Sequence, residues 1–303
     1  MNAKERFLAF RRSLPRAPRL EPQRVRVRGL SLAVFSTPPV PDATPLVCVN
    51  GGLLHDHHLL WPALSPLAQR RQLIVYDQRG RGASEAPSDP DAARIEDDGA
   101  DLGALRRALG LRQWDVLGHS WGGGIAMLGT AGDPSGVRRL VLVNAVGATD
   151  EWMPELRARA RARLGEEDRA ILDGVDDVAL ADPHPDVHGA HARAIYRAWF
   201  ADPSLAELFT APVAASRTGA AVAARLRRAG YDWRERVRAV RTPSLVIHGA
   251  DDALPPSVAA SLASLLPGSR LEILPDAGHM PFWEAPEQFF ALVEGFLSAR
   301  TPG

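Results

Sequence analysis

Lysine is nearly absent from this chain of 303 residues: Lys4 is the only one, and every other cationic side chain apart from histidine is arginine. With abundant alanine and leucine, that bias reflects a GC-rich coding sequence more than a physical demand. Cysteine is as scarce. Cys48 stands alone in "PLVCVNGG", so no intrachain disulfide can form, and its apolar neighbours mark a buried core thiol that nothing at a useful spacing would activate. Long apolar runs are missing as well. No segment reaches the ~18 uninterrupted apolar residues of a membrane span, and the basic start "MNAKERFLAFRRSLPRAPRL" lacks the apolar stretch of a secretory signal, which makes the cytoplasm the expected location. Nor is there an excess charge of either sign. The 36 basic residues balance 36 acidic ones, leaving no global field to draw the protein to nucleic acid or a membrane surface. Small-molecule or short-peptide substrates fit such a chain better, and the sequence carries no signal for an oligomeric state.

What is present is order. "RVRVRG" and "LSLAVF" surround Gly29 as an antiparallel hairpin would. Six short apolar runs follow: "PLVCVNGG" (45–52), "QLIVYDQRG" (72–80), "WDVLGHS" (114–120), "RRLVLVNAV" (138–146), "PSLVIHGADD" (243–252) and "RLEILPDAGH" (270–279). Nearly all reach Gly, Asp, Asn or His at or near their ends, as buried parallel strands do where they deliver loops to one edge of a sheet. Helical patterns lie between them, such as "DDGADLGALRRALGL" with Leu102, Leu105 and Leu109 on one face, and "PEQFFALVEGFLSAR" with Phe289, Leu292, Val293 and Phe296. Alternation of this kind predicts an α/β fold with a doubly wound, mostly parallel sheet and functional groups at the carboxyl ends of its strands. One interval interrupts it. Residues 148–240 show helical patterns and no strand-like run, so they are expected to form an inserted helical cap between two parts of the core, 23–147 and 241–303, after a basic N-terminal segment, 1–22.

The chemistry concentrates in "VLGHSWGGGIAM" (116–127), where Gly118, His119, Ser120, Trp121 and Gly122 read GxSxG between a strand and a helix. A strand-to-helix turn this sharp strains the serine backbone and exposes its hydroxyl, and the flanking glycines let other chain pass close by. A serine nucleophile needs a base to take its proton and an acid to orient that base. "IHGADDALPP" supplies Asp251 and Asp252 just past one strand, and "PDAGHMPFWE" supplies His279 just past the last. Both lie at the edge where Ser120 sits. The amide after the nucleophile, on Trp121, is a ready donor to an oxyanion.

Three separated motifs in the order Ser, Asp, His make the chain resemble the α/β-hydrolase superfamily. The family's GxxDxxxP spacing, counted from Gly249 through Pro255, points to Asp252 over Asp251, and its GH pair matches Gly278 and His279. The resemblance implies a Ser120–His279–Asp252 triad, with a second oxyanion donor at Gly52 in "VNGGLLHDHH". Asn50 stands there where family members usually carry histidine, so the props of that loop are expected to differ. "YDQRGRGAS" (76–84) together with Ser120–Gly123 is similar to the proline iminopeptidase branch, although the HGGPG of that branch is reduced to Asn50, Gly51, Gly52, Leu53, Leu54. A serine nucleophile does not fit the haloalkane dehalogenase and epoxide hydrolase branches, which use aspartate.

These features predict a serine hydrolase working without metal or cofactor: an aminopeptidase resembling proline iminopeptidase, with a carboxylesterase or lactonase as the alternative and a non-catalytic ligand receptor on the same fold as a third reading. An aminopeptidase needs cap carboxylates for the substrate ammonium. Glu151, Glu155, Glu166, Glu167 and Glu207 are candidates, and a solvated helix face explains them equally well. "HDHH" (55–58) has the look of a metal cluster, but adjacent ligands are expected to diverge and no distant residues complete the set. His119 and His248 are expected to pack near the sheet edge, Asp77 and Arg79 to brace their loop, and Trp152, Tyr196, Trp199, Phe200, Tyr231 and Trp233 to form the core of the cap or line an apolar pocket.

Overall fold

The computed structural model describes residues 2–14, 20–174, 185–209 and 216–299. Parts of the expected N-terminal segment (1 and 15–19), of the interval 148–240 (175–184 and 210–215) and of the C-terminal end (300–303) lie outside them. Eight strands form one sheet: β1 (Gln23–Val27), β2 (Leu30–Ser36), β3 (Leu46–Val49), β4 (Leu73–Tyr76), β5 (Trp114–His119), β6 (Val137–Val143), β7 (Ser244–Gly249) and β8 (Arg270–Leu274). Their spatial order is β1-β2-β4-β3-β5-β6-β7-β8. β1 and β2 pair antiparallel through a tight turn in which Arg28 and Gly29 both hold positive φ, 46° and 87°, as a two-residue hairpin turn requires. β2 is antiparallel to β4, and every other neighbour pair is parallel.

Why these runs are strands is visible in their burial. In β3 all four residues are at most 1% exposed, yet Leu46 and Cys48 belong to one apolar cluster while Val47 and Val49 belong to the other. β6 divides the same way, with Leu140 and Leu142 on one face and Val141 and Val143 on the other. A strand covered on both faces has no polar side to show, which is why the sequence reads as continuous apolar runs. Cys48 lies in this core, and burial pushes its thiol up to about 12, so it is a packing residue.

Helices cover the sheet: α1 (Ala3–Ser13), α2 (Ile95–Ala108), α3 (Trp121–Gly132), and after β7 α9 (Pro256–Leu265), α10 (Pro281–Glu284) and α11 (Pro286–Ser298). Between β6 and β7 lie α4 (Met153–Ala162), α5 (Glu166–Gly174), α6 (Pro185–Trp199), α7 (Arg217–Ala229) and α8 (Arg234–Ala239), a segment referred to below as the cap. Within the basic N-terminal segment, α1 is a docked helix with a two-way cap between Asn2 and Glu5. Its Phe7 is buried and stacks on Trp283 at 5.1 Å, tying α1 to α10. Among the described residues no helix is long and apolar enough to cross a membrane.

Candidate active site

Ser120 occupies the turn between β5 and α3 with φ 55° and ψ −124°, a conformation a non-glycine residue adopts only when its surroundings enforce it. The enforcement is steric. A Cβ on Gly118 would come within 2.4 Å of the Gly122 carbonyl oxygen, and one on Gly122 within 2.1 Å of the Val49 carbonyl oxygen. Glycine at both places is therefore the condition for the turn. The Ser120 amide donates to the Val143 carbonyl at 3.0 Å, fixing the turn to the end of β6.

Asp252 and His279 arrive from the ends of β7 and β8. His279 Nδ1 lies 2.7 Å from Asp252 Oδ2, and both residues are at most 2% exposed. Asp252 is further held by Asn144 Nδ2, which donates to Oδ2 at 2.7 Å, and by the Leu254 amide, which donates to Oδ1 at 3.0 Å. Burial opposes ionisation of this carboxyl, but the imidazole of His279 and the donors around it outweigh burial and keep it below the usual carboxylate range. Asp251, by contrast, is exposed.

Asn144 escaped the sequence reading. It sits at φ 45° just past β6 and bridges the Asp252 carboxylate to the Gly278 carbonyl, 3.1 Å away, so it joins the acid loop to the histidine loop. The signal was the polar residue ending "RRLVLVN", where a strand gives way to the functional edge. The two histidines expected to pack near the sheet edge are both buried there. His119 Nε2 donates to the His279 carbonyl at 2.8 Å, and its own titration is pushed down to about 3 by burial and by the neighbouring His279. His248 Nε2 donates to the Leu254 carbonyl at 2.8 Å, bracing the Asp252 loop.

The loop after β3 passes close to the serine: a Cβ on Gly51 would lie 2.6 Å from Ser120 Cβ. Asn50, where family members usually carry histidine, props this loop by donating from Nδ2 to the His55 carbonyl at 2.9 Å, while Gln78 Nε2 donates to the Asn50 carbonyl at 2.9 Å. Gly52 follows with φ 76°, and Leu53 with φ 43° is held through its carbonyl by Arg81 Nε at 2.8 Å. Arg81 is itself fully buried against Asp98. Asp77 braces the next loop, accepting from His57 Nδ1 at 2.8 Å and from the Ala83 amide at 2.8 Å, and Arg79 pairs with Asp101. The ligand-type atoms of Asp56, His57 and His58 converge to within 4.8 Å of one another, closer than adjacent residues were expected to come. The Nδ1 atoms of His57 and His58 are engaged by Asp77 and Asp56 respectively.

Two adjoining cavities, of about 220 and 300 Å³, share Ser120, Trp121, His279 and Leu53 from the core and Ile195, Trp199, Ala223 and Arg227 from the cap. Gly52, His55 and Met280 line the first, and Trp152, Met153, Leu156 and Arg157 the second. The Trp199 ring stands edge-on to the His279 imidazole with centroids 3.5 Å apart. Of the cap aromatics, Trp152, Tyr196 and Trp199 reach these walls, whereas Phe200, Tyr231 and Trp233 are packing residues. None of the five candidate glutamates lines either cavity. Glu151 and Glu155 edge a separate surface groove, and Glu166, Glu167 and Glu207 are exposed.

The sequence profile of the α/β-hydrolase fold matches residues 44–286, most of the chain. The chain belongs to that family. Its sequence is 28% identical over 282 residues to a proline iminopeptidase of Lactobacillus delbrueckii subsp. bulgaricus, covering 86% of this chain and 91% of the relative. Among solved structures it is similar to the proline iminopeptidase of Mycobacterium smegmatis (26% identity, TM-score 0.67, 91% of this chain and 97% of that one). It is likewise similar to the enol-lactonase of Burkholderia xenovorans LB400 (25%, TM-score 0.65, 91% and 100%). This α/β-hydrolase is a hydrolytic enzyme related to the proline iminopeptidase branch.

Proposed function

We propose that the protein is a serine hydrolase that cleaves small, largely apolar carboxylic esters or lactones through an acyl-enzyme. Ser120 Oγ attacks the substrate carbonyl carbon while His279 removes its proton. Asp252 holds Nδ1 of His279 and stabilises the imidazolium. The amides of Trp121, first in α3 and so without an internal helical acceptor, and of Gly52 receive the oxyanion. His279 then gives its proton to the departing alkoxide, and water attacking the acyl carbon releases Ser120.

The observation that carries the ester reading is the charge of the cavity. Its described walls are apolar, with histidine and the cations Arg157 and Arg227, and hold no carboxylate. An ammonium brought against these described walls would meet no carboxylate among them, and desolvation without a counter-charge costs several kcal/mol, roughly. A neutral ester meets no such cost. The second reading, a proline iminopeptidase-like aminopeptidase, is favoured by the sequence kinship with enzymes of that name.

One panel separates them: p-nitrophenyl butyrate, a γ-lactone, L-prolyl p-nitroanilide and its N-acetyl derivative. The ester is expected to exceed the free prolyl amide by at least about a hundredfold in kcat/KM. The reverse order, with acetylation abolishing turnover of the amide, would transfer the assignment to the aminopeptidase. Labelling of Ser120 by a fluorophosphonate is expected under both, and its absence would favour a non-catalytic receptor.

A further inference from the structure

Glu284, the last residue of α10, is 2% exposed and forms no ion pair among the described residues. Its carboxylate is surrounded by backbone donors instead. Oε1 accepts from the Ala201 amide at 2.7 Å, and Oε2 accepts from the Gly278 amide at 3.0 Å and the Met280 amide at 3.1 Å. Gly278 and Met280 flank His279, and Ala201 lies just beyond the cap helix α6. The same junction is tied from the other direction, because the His279 amide donates to the Trp199 carbonyl at 2.7 Å. It is also sterically closed: a Cβ on Gly278 would lie 2.3 Å from the Trp199 carbonyl oxygen and 2.6 Å from the Ala201 nitrogen.

A buried carboxylate without a counter-charge is a costly way to fill space, and an apolar side chain of that size would fill it more cheaply. What only a carboxylate offers is acceptor capacity at two oxygens with no donor of its own. We infer that Glu284 is a positioning residue that fixes the His279 loop to the end of cap helix α6 and thereby sets the place of the imidazole in the cavity it shares with Ser120. It acts through the backbone on either side of the base and touches no reacting atom. The inference rests on the reading of His279 as the base.

The arrangement also makes the tie sensitive to protonation. Burial raises the Glu284 carboxyl to about 7, with the three amides only partly offsetting it. The charged groups facing it are Arg6 of α1, whose Nε donates to the Glu284 carbonyl, Asp202 beyond α6, Asp251 and Asp252 beyond β7, Asp276 and His279 beyond β8, and Arg163 at the end of α4. A proton on either oxygen turns an acceptor towards an N–H donor, so the tie is complete above that pH and loosens below it.

The test compares E284Q and E284D with the wild type in fluorophosphonate labelling rate, ester kcat and KM, pH profile and Tm. The Gln amide keeps one acceptor and opposes the remaining donors. E284Q is therefore expected to lose about ten- to a hundredfold in labelling rate and kcat, as a slightly misplaced base does, with KM within threefold and Tm not lowered by more than a few degrees. E284D, which keeps the charge, is expected to recover part of the loss. The acid limb of the wild-type kcat/KM profile should be steeper than a single ionisation, and in E284Q it should fall to one. E284Q within threefold of wild type in labelling and turnover, or E284Q and E284D equally impaired with the wild-type pH profile retained, overturns the inference. Should E284Q not fold, the wild-type profile decides: a single-proton acid limb overturns the inference and a steeper one supports it. Turnover retained by S120A or H279A would overturn the underlying mechanism, whereas their silence beside an unaffected E284Q would overturn this inference alone.

Discussion

At the sheet edge, the backbone around Ser120 is fixed by contacts that admit no alternative side chain: glycine against carbonyl oxygen at Gly118 and Gly122, and amides laced from one strand end to the next at Ser120, Asn144 and Ala250. Away from the backbone contacts of Trp199 and Ala201 with the His279 loop and of Gly219 with Leu53, the cap is attached differently. Arginine side chains reach across to carbonyl oxygens, Arg159 to Asp252 and Ala253 and Arg11 to Leu208, and exposed pairs such as Arg217 with Asp91 complete the junction. The first kind of contact is short and insensitive to salt. The second uses long side chains whose ordering entropy offsets much of their gain. The sheet edge is therefore built to hold atoms in place and the cap to adapt, so damage at the edge should appear in kcat and damage in the cap in the choice of substrate.

The sharpest way to break that contrast is to remove the chemistry. S120A and H279A are each expected to lower kcat by roughly 10⁴- to 10⁶-fold without loss of fold, since members of such a triad act as one unit. Steady-state turnover normalised to active-site concentration checks it; more than a tenth of wild-type turnover in either variant would end the proposed mechanism. Next in size is the acid. D252N should cost up to about 10⁴-fold, because the amide no longer favours the required imidazole tautomer, while D251N, at an exposed carboxylate, should be mild. If the order were reversed, Asp251 and not Asp252 would orient the base.

This ordering was legible in the sequence to the extent that chemistry at a strand end demands fixed residue types. Gly118, Ser120 and Gly122 are the few residues that satisfy the turn, and the Gly249-to-Asp252 spacing puts Asp252 within reach of His279 after β8. The sheet was legible because a strand buried on both faces has no alternative to an apolar run. Two other determinants were not. Asn144 bonds to Asp252 and Gly278, and Glu284 to Ala201, across more than 80 residues of sequence, and the remaining bonds of Glu284, to Gly278 and Met280, go to backbone amides that carry no residue type, so no period announces either side chain. The α1 helix did leave a signal, Phe7 and Phe10 on one face behind the Asn2 and Glu5 cap, but it was hidden in a stretch read for its charge. In the cap, glutamate on a solvated face and glutamate at a binding wall have the same local sequence.

A milder probe of the edge is N144A. It deletes the donor to Asp252 Oδ2 and leaves the buried carboxylate short of one hydrogen bond, worth about 1.5 to 3 kcal/mol for a charged acceptor. The expected readout is a fall in kcat of about ten- to a hundredfold with KM little changed, measured on the ester. A pure KM effect would place Asn144 with the substrate and not with the acid.

The smallest effects are expected in the cap, from E151Q, E155Q, E166Q, E167Q and E207Q. Each of these side chains is exposed and none lines the cavities that reach Ser120. Glu207 faces Arg197 at 3.8 Å from an exposed position, the kind of contact that contributes little. Removing such a charge changes neither the desolvation of the substrate nor the position of the base, so each variant should stay within about twofold of wild type in kcat/KM for both the ester and the prolyl amide. The informative exception would be selective: a tenfold rise in KM for the free prolyl amide with the ester unaffected. That result would mean the cap closes over a bound ammonium and brings the glutamate to the cavity wall, and adaptability of the cap would then be the source of an aminopeptidase specificity.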